Sequence, residues 1–120
     1  MKVLIIEDEI MAQKSLIRLL SQNFPDITVV DVLSSVKGTV AWLKEHPNTI
    51  DVIFMDVELS DGVCFEIFRQ TEVKAKVIMT TAYDHYAVKA FETGSVDYLL
   101  KPIDPTALKR AVATLYRAMD

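Results

Sequence analysis

Five short apolar runs, Lys2–Ile6, Ile27–Leu33, Ile50–Met55, Ala75–Thr80 and Ser95–Leu100, alternate with five longer stretches of helical period. Most of the runs are rich in Val and Ile and do not alternate with polar residues. That is the pattern of a parallel strand buried on both faces. Between them, Ile10, Ile17, Leu20 and Phe24 fall on one helical face. Val36, Val40 and Leu43 mark a second helix that stops at His46-Pro47, and Cys64, Ile67 and Phe68 mark a third. Ala87, Ala90 and Phe91 mark a fourth, closed by Gly94, a helix-stop signal. The last helix opens with Asp104 at the N-cap and Pro105 at the first helical position. Its stripe of Leu108, Val112, Leu115 and Met119 is predicted to be buried.

A βα unit repeated in this way predicts an α/β fold, a parallel sheet with helices on both faces. Right-handed crossovers leave few topologies. The flavodoxin-like (βα)5 order 2-1-3-4-5 is the commonest at this length, although the alternation alone does not select it. The chain has 120 residues, enough for one domain, here expected to span residues 1–120. With 13 Lys and Arg against 17 Asp and Glu, its net charge is −4, so it lacks the electrostatic footprint of a nucleic-acid-binding surface. The single cysteine, Cys64, excludes an internal disulfide. No run approaches the roughly 20 apolar residues of a membrane span. Glu7-Asp8-Glu9 cuts the first run too short for a signal peptide, so the expected compartment is the cytoplasm.

In a sheet of this kind ligands gather at the carboxyl ends of the strands. There the sequence places Glu7-Asp8-Glu9, Asp56, Thr80-Thr81 and Lys101-Pro102. Crowded carboxylates raise each other's pKa unless a cation sits among them. Hard oxygen ligands with open positions suit Mg²⁺, which takes one or two carboxylates together with a phosphate. Asp56 can act as a nucleophile, since carboxylates form aspartyl phosphates. Phosphoryl transfer needs in-line positioning and charge neutralisation, and Mg²⁺ with Lys101 can supply the second. Asp or Thr after a strand is by itself often only a cap or turn former. Their coincidence at one sheet edge is what weakens that reading.

These residues resemble those of the receiver domains of two-component response regulators. The likeness runs over nearly the whole chain. Its stretches are Val3-Leu4-Ile5-Ile6-Glu7-Asp8-Glu9, Asp51-Val52-Ile53-Phe54-Met55-Asp56, Thr80-Thr81-Ala82 and Asp97-Tyr98-Leu99-Leu100-Lys101-Pro102. The resemblance implies Asp56 as phosphoacceptor, with Asp8, Asp56 and the backbone carbonyl of Glu58 as ligands of Mg²⁺ (or Mn²⁺) and Glu7 acting through water. It implies Thr81, the backbone of Ala82, Lys101 and the aromatic Tyr98 as phosphate-binding and switch groups. Glu58 and Tyr83 flank the site, at positions that tune phosphate lifetime in the family. The implied partner is a sensor histidine kinase or phosphotransfer protein, and the implied responding face is that of the fourth helix, fifth strand and fifth helix, through which a receiver homodimer would form. Wording from Thr80 to Ala87, then Ala90-Phe91, then Val96 to Ile103, resembles receivers that precede LytTR-type DNA-binding domains. The expected output domain is not present in this chain. Two departures stand out. Many receivers hold a proline four residues after the acceptor and a glycine eight after it, where this chain has Ser60 and Cys64. Glu7 also replaces the commoner Asp.

Other residues draw plainer readings. His46 and His85 lack a partner at metal spacing, so zinc is not expected. Cys64 and Trp42 read as packing residues. Two competing functions use the same site. A Mg²⁺-dependent phosphohydrolase of the haloacid-dehalogenase type would need its nucleophile just after the first strand, where Glu7-Asp8-Glu9 stands. A pseudo-receiver would be an interaction module that is never phosphorylated, but the acidic pair, Asp56 and Lys101 are all retained. The expectation is a module that catalyses only its own phosphorylation and dephosphorylation.

Overall fold

The computed structural model describes residues 1–119. Its central sheet contains β1 (Lys2–Ile6), β2 (Thr28–Leu33), β3 (Val52–Asp56), β4 (Lys76–Thr81) and β5 (Asp97–Leu100), all parallel, in the spatial order β2-β1-β3-β4-β5. This is the expected order. A short antiparallel hairpin, Glu58–Leu59 with Gly62–Val63, lies outside the sheet between β3 and the third helix. With its two strands counted, the same sheet reads 2-1-3-6-7. The helices are α1 (Ile10–Asn23), α2 (Val36–Glu45), α3 (Phe65–Gln70), α4 (Ala87–Glu92) and α5 (Pro105–Met119). A single 3₁₀ turn, Asp84–Tyr86, leads into α4.

Alternation along each strand sends side chains to opposite faces. Leu4, Ile6, Ile53, Met55 and Met79 therefore meet Val36, Val40, Ile67 and Ala90 of α2, α3 and α4. Val3, Ile5, Phe54, Ile78 and Leu99 meet Leu16, Leu20, Leu108, Val112 and Leu115 of α1 and α5. Every residue of β3 is buried. By contrast β2, at the sheet edge, is half open, so an apolar run there did not signal burial on both faces.

Several local signals act as the sequence predicts. The Asp104 carboxylate accepts from the Ala107 N–H at 3.0 Å and caps α5. Gly94 has φ of 79°, a conformation that lets the chain turn after α4. Cys64 is fully buried, and its thiol is pushed up to about 12, chiefly by burial and further by the charge of Asp56. The Trp42 indole stacks on His46 and donates to Asp31 at 3.0 Å.

Three helical faces differ from expectation. On α1 the buried positions are Leu16 and Leu20, while Ile10 is 65% and Ile17 36% exposed. At 100° per residue, Ile10 and Ile17 lie roughly 80–100° from the centre of that stripe, on its shoulder. On α4 only Ala90 is buried, and Phe91, one residue round the helix, is 82% exposed. On α5 the interior place goes to Ala111, giving a Leu108-Ala111-Val112-Leu115 stripe, while Met119 at the helix end is 43% exposed.

Leu115→Ala is expected to destabilise the fold by about 2–5 kcal/mol, since it opens a cavity under α5. Phe91→Ser is expected to change stability by no more than about 0.5 kcal/mol. Urea unfolding followed by circular dichroism checks both.

Candidate functional site

The registers of the sheet bring the carboxyl ends of β1, β3, β4 and β5 to one edge. Ile6 pairs with Met55, Asp56 with Thr80, and Thr81 with Leu100. The residues just beyond those pairs converge. The Glu7 N–H is fixed by the Leu33 carbonyl of β2 at 2.8 Å, and the Glu7 carbonyl accepts from the Gln13 side chain at 2.7 Å. The Lys101 N–H donates to the Thr81 carbonyl at 2.7 Å, which sets the base of the lysine side chain.

Lys101 Nζ is paired with Glu7 and lies 3.2 Å from Asp56 Oδ2. Carboxylate oxygens of Glu7, Asp8 and Asp56 all lie within 4.8 Å of one another. Glu7 and Asp56 are buried, at 4% and 5% exposure, and Thr81 is fully buried. A cavity of about 290 Å³ opens over this cluster, lined by Asp8, Asp56, Glu58, Thr81, Ala82 and Lys101 among others. Six of the sequence-predicted site residues therefore share one pocket, and Glu7 adjoins it through its bond to Lys101. Tyr98 stands apart on β5, its hydroxyl donating to the Tyr83 carbonyl.

The electrostatics follow from three carboxylates sharing one ammonium. Burial, joined by the charge of Glu7 and only partly offset by Lys101, pushes the Asp56 carboxyl up to about 7. Burial also acts to raise Glu7, but hydrogen bonds from Lys101 and the Glu9 N–H, with the charge of Lys101, hold it below the ordinary carboxylate range. Asp8 is raised by burial and by its neighbour Glu7. Burial acts to lower Lys101, yet its bond to Glu7 and the charges of Asp56 and Glu7 leave it above the ordinary ammonium value. Such a cluster fits a hard divalent cation, because a second positive charge relieves a repulsion that one lysine does not cancel.

Two contacts had no signal in the sequence. The Tyr86 hydroxyl donates to Glu58 Oε1 at 2.9 Å and ties the hairpin to the segment before α4. Asp61 bonds two backbone N–H groups at the start of α2. Asp61-Gly62 reads locally as a turn, and nothing in the adjacent residues reports a partner 25 positions away. His85 packs against the Tyr86 ring.

Residues 3–113 match the family of response regulator receiver domains. Sensory transduction protein LytR of Streptococcus mutans is 38% identical, over 94% of this chain and 47% of its own length. Transcriptional regulatory protein BtsR of Escherichia coli is also 38% identical, over 95% of this chain and 47% of its own. These are regulators of the kind that the sequence resembled, and the chain spans about half the length of the curated relatives it matches. The crystal structure of the response regulatory domain of protein mrkE from Klebsiella pneumoniae superposes with a TM-score of 0.83 at 31% identity, covering 98% of this chain and 97% of that one. No helix among the described residues is long and apolar enough to cross a membrane. With its strand order, its acidic edge and its relatives in agreement, the chain belongs to the response regulator receiver domains of two-component signalling.

Proposed function

We propose that this receiver is switched by phosphorylation of Asp56. One observation carries the reading: a buried carboxylate at a strand end, 3.2 Å from a lysine ammonium and clustered with two more carboxylates under an open cavity. A carboxylate oxygen of Asp56 attacks the phosphorus of a phosphohistidine on a histidine kinase or phosphotransfer protein. The O–P bond forms as the N–P bond breaks, and the released imidazole takes up a proton. Asp8, Asp56 and the Glu58 carbonyl would hold Mg²⁺ or Mn²⁺, with Glu7 reaching it through water. When bound, the cation neutralises charge on the transferred group. Lys101 pairs with a phosphoryl oxygen, and the Ala82 backbone N–H together with the Thr81 hydroxyl donates to others.

The route from site to surface runs through Tyr83. Its N–H donates to Thr81 Oγ1 at 3.1 Å, and its carbonyl accepts from the Tyr98 hydroxyl. A threonine that turns to the phosphoryl group releases this N–H, and the residue that Tyr98 holds is the one set free. The responding face is that of α4, β5 and α5, where Val88, Phe91 and Leu100 are exposed. An apolar face of this kind suits a second receiver. BtsR is a transcriptional regulatory protein, and by that likeness a transcriptional output on a further domain is proposed here.

Incubation with acetyl phosphate and Mg²⁺ is expected to add one phosphoryl group to the intact mass. The gain is expected to vanish in Asp56→Asn and with EDTA. Labelling of Asp56→Asn to the wild-type level would overturn the acceptor, and no labelling of wild type, beside a control receiver that labels, would favour a pseudo-receiver.

The raised Asp56 carboxyl also makes stability depend on pH. Its folded value is about 7 against an ordinary 3.8, so between those limits the native state holds a proton that the unfolded chain has lost. Stability from this group then falls as pH rises through that window. Without divalent cation at pH 8, Asp56→Asn is expected to be more stable than wild type by about 1–3 kcal/mol, which is the roughly 4 kcal/mol of the full shift reduced for solvent screening and for the paired charge of Lys101. The gap is expected to narrow near pH 5 and on adding Mg²⁺. Thermal melts of both proteins check this, and a wild type that is the more stable at pH 8 without cation would contradict it.

A further inference from the structure

The hairpin after Asp56 is fastened by a residue that the proposed chemistry does not use. Asp61 lies at its tip, and its two carboxylate oxygens accept from the N–H groups of Val36 at 2.7 Å and Lys37 at 3.0 Å. These are the first residues of α2, whose opening N–H groups have no partner within the helix. The local cap, Ser35, serves Gly38 at 2.9 Å, so the two side chains satisfy different donors. A carboxylate here also meets the positive end of the helix dipole. The hydrogen bonds from Lys37 and Val36 hold the Asp61 carboxyl below its ordinary range. Ser60 adds a bond to the Ser34 carbonyl at 3.3 Å. On the opposite side the Tyr86 hydroxyl holds Glu58.

The tip of the hairpin has few restraints of its own. Among the described residues Asn48 is the only non-glycine at positive φ, so Ser60 and Asp61 keep ordinary backbone and Gly62 completes the turn at φ of 148°. Serine and glycine leave the backbone more freedom than a proline would. Buried Val57 and Leu59, with the Val57 N–H bonded to the Thr80 carbonyl at 3.0 Å, hold the end of the segment nearest Asp56, and the paired, charge-assisted bonds of Asp61 hold its tip. Glu58 lies two residues from Asp56 and three from Asp61, so an anchor at Asp61 fixes the main chain between the acceptor and the tip.

We propose that Asp61 is a positioning residue for the cation. By tying the hairpin to α2 it holds the Glu58 main chain where its carbonyl can serve as a ligand, and so sets the affinity of the site. The inference rests on the proposed metal role of the Glu58 carbonyl. A residue that only capped α2 would affect the stability of that helix and leave cation binding alone.

The test is a calorimetric Mg²⁺ titration of wild type, Asp61→Ala, Asp61→Asn and Ser35→Ala, at a temperature where circular dichroism shows each to be fully folded. Ser35→Ala removes the other α2 cap and leaves the hairpin anchored. Asp61→Ala is expected to raise the Mg²⁺ Kd roughly tenfold, as loss of an outer support does at metal sites. Asp61→Asn, which keeps one acceptor oxygen, is expected to fall between it and wild type, and it carries the test if the alanine variant fails to fold. Ser35→Ala is expected to keep Kd within about twofold of wild type, as suits a change that touches no support of the ligands. Wild-type affinity in the Asp61 variants, or an equal loss in Ser35→Ala, would overturn this inference while leaving the metal site standing. A wild-type chain that binds no Mg²⁺ would overturn the metal reading and this inference with it.

Discussion

The arrangement of this domain depends on β3. It is hydrogen-bonded on both sides, to β1 and β4, and buried on both faces. Its side chains Val52, Ile53, Phe54 and Met55 leave it no other place than the centre of the sheet. Ending such a strand in an aspartate puts a carboxylate where the apolar interior stops. Because parallel pairing fixes the register of β1 and β4 against it, the ends of those strands arrive at the same depth. The site is thus a by-product of sheet geometry: chemistry collects where buried strands run out.

That placement creates a charge problem which the fold only half solves. Glu7 and Asp56 share Lys101, which balances one negative charge and leaves Asp8 at the rim. Buried charges are tolerated when paired. Here the count of carboxylates exceeds the count of cations at the strand ends, and the excess falls on Asp56, where Lys101 only partly offsets burial and the charge of Glu7. An acidic pocket with a fixed lysine and an open side prefers ligands that bring positive charge, or that bring phosphate together with it.

Most of this was legible in the sequence because it depends on local composition. Runs such as Val52–Met55 read as buried strands from their length and composition, and Asp104-Pro105 and Gly94 mark helix ends through backbone preferences that act within a few residues. The acidic pair, Asp56, Thr81 and Lys101 were visible because each ends or directly follows a strand. Ile10, Ile17, Phe91 and Met119 were misread because hydrophobicity tells which residues can be buried, not which helical face the sheet meets. A stripe shifted by one residue leaves the same composition. The bonds of Asp61 to α2 and of Tyr86 to Glu58 were invisible, since they join positions 25 and 28 apart through tertiary placement alone. The hairpin was missed for a similar reason, as two-residue strands carry no periodicity.

The shortness of α4 has an energetic consequence. Six residues make fewer than two turns, too few to hold a helix by its own propensity. Of those six only Ala90 is buried, and an alanine offers little apolar surface. The segment is therefore secured by a handful of contacts around it, among them the bond from Tyr86 just ahead of it to Glu58. A single hydrogen bond contributes about 0.5–1.5 kcal/mol net. For α5, anchored by four buried side chains, that is a small perturbation. For α4 it is comparable to the whole hold. Among the described helices α4 is the one whose position a change of one or two bonds can decide, and it carries the two most exposed large apolar side chains on its face of the domain, Val88 and Phe91.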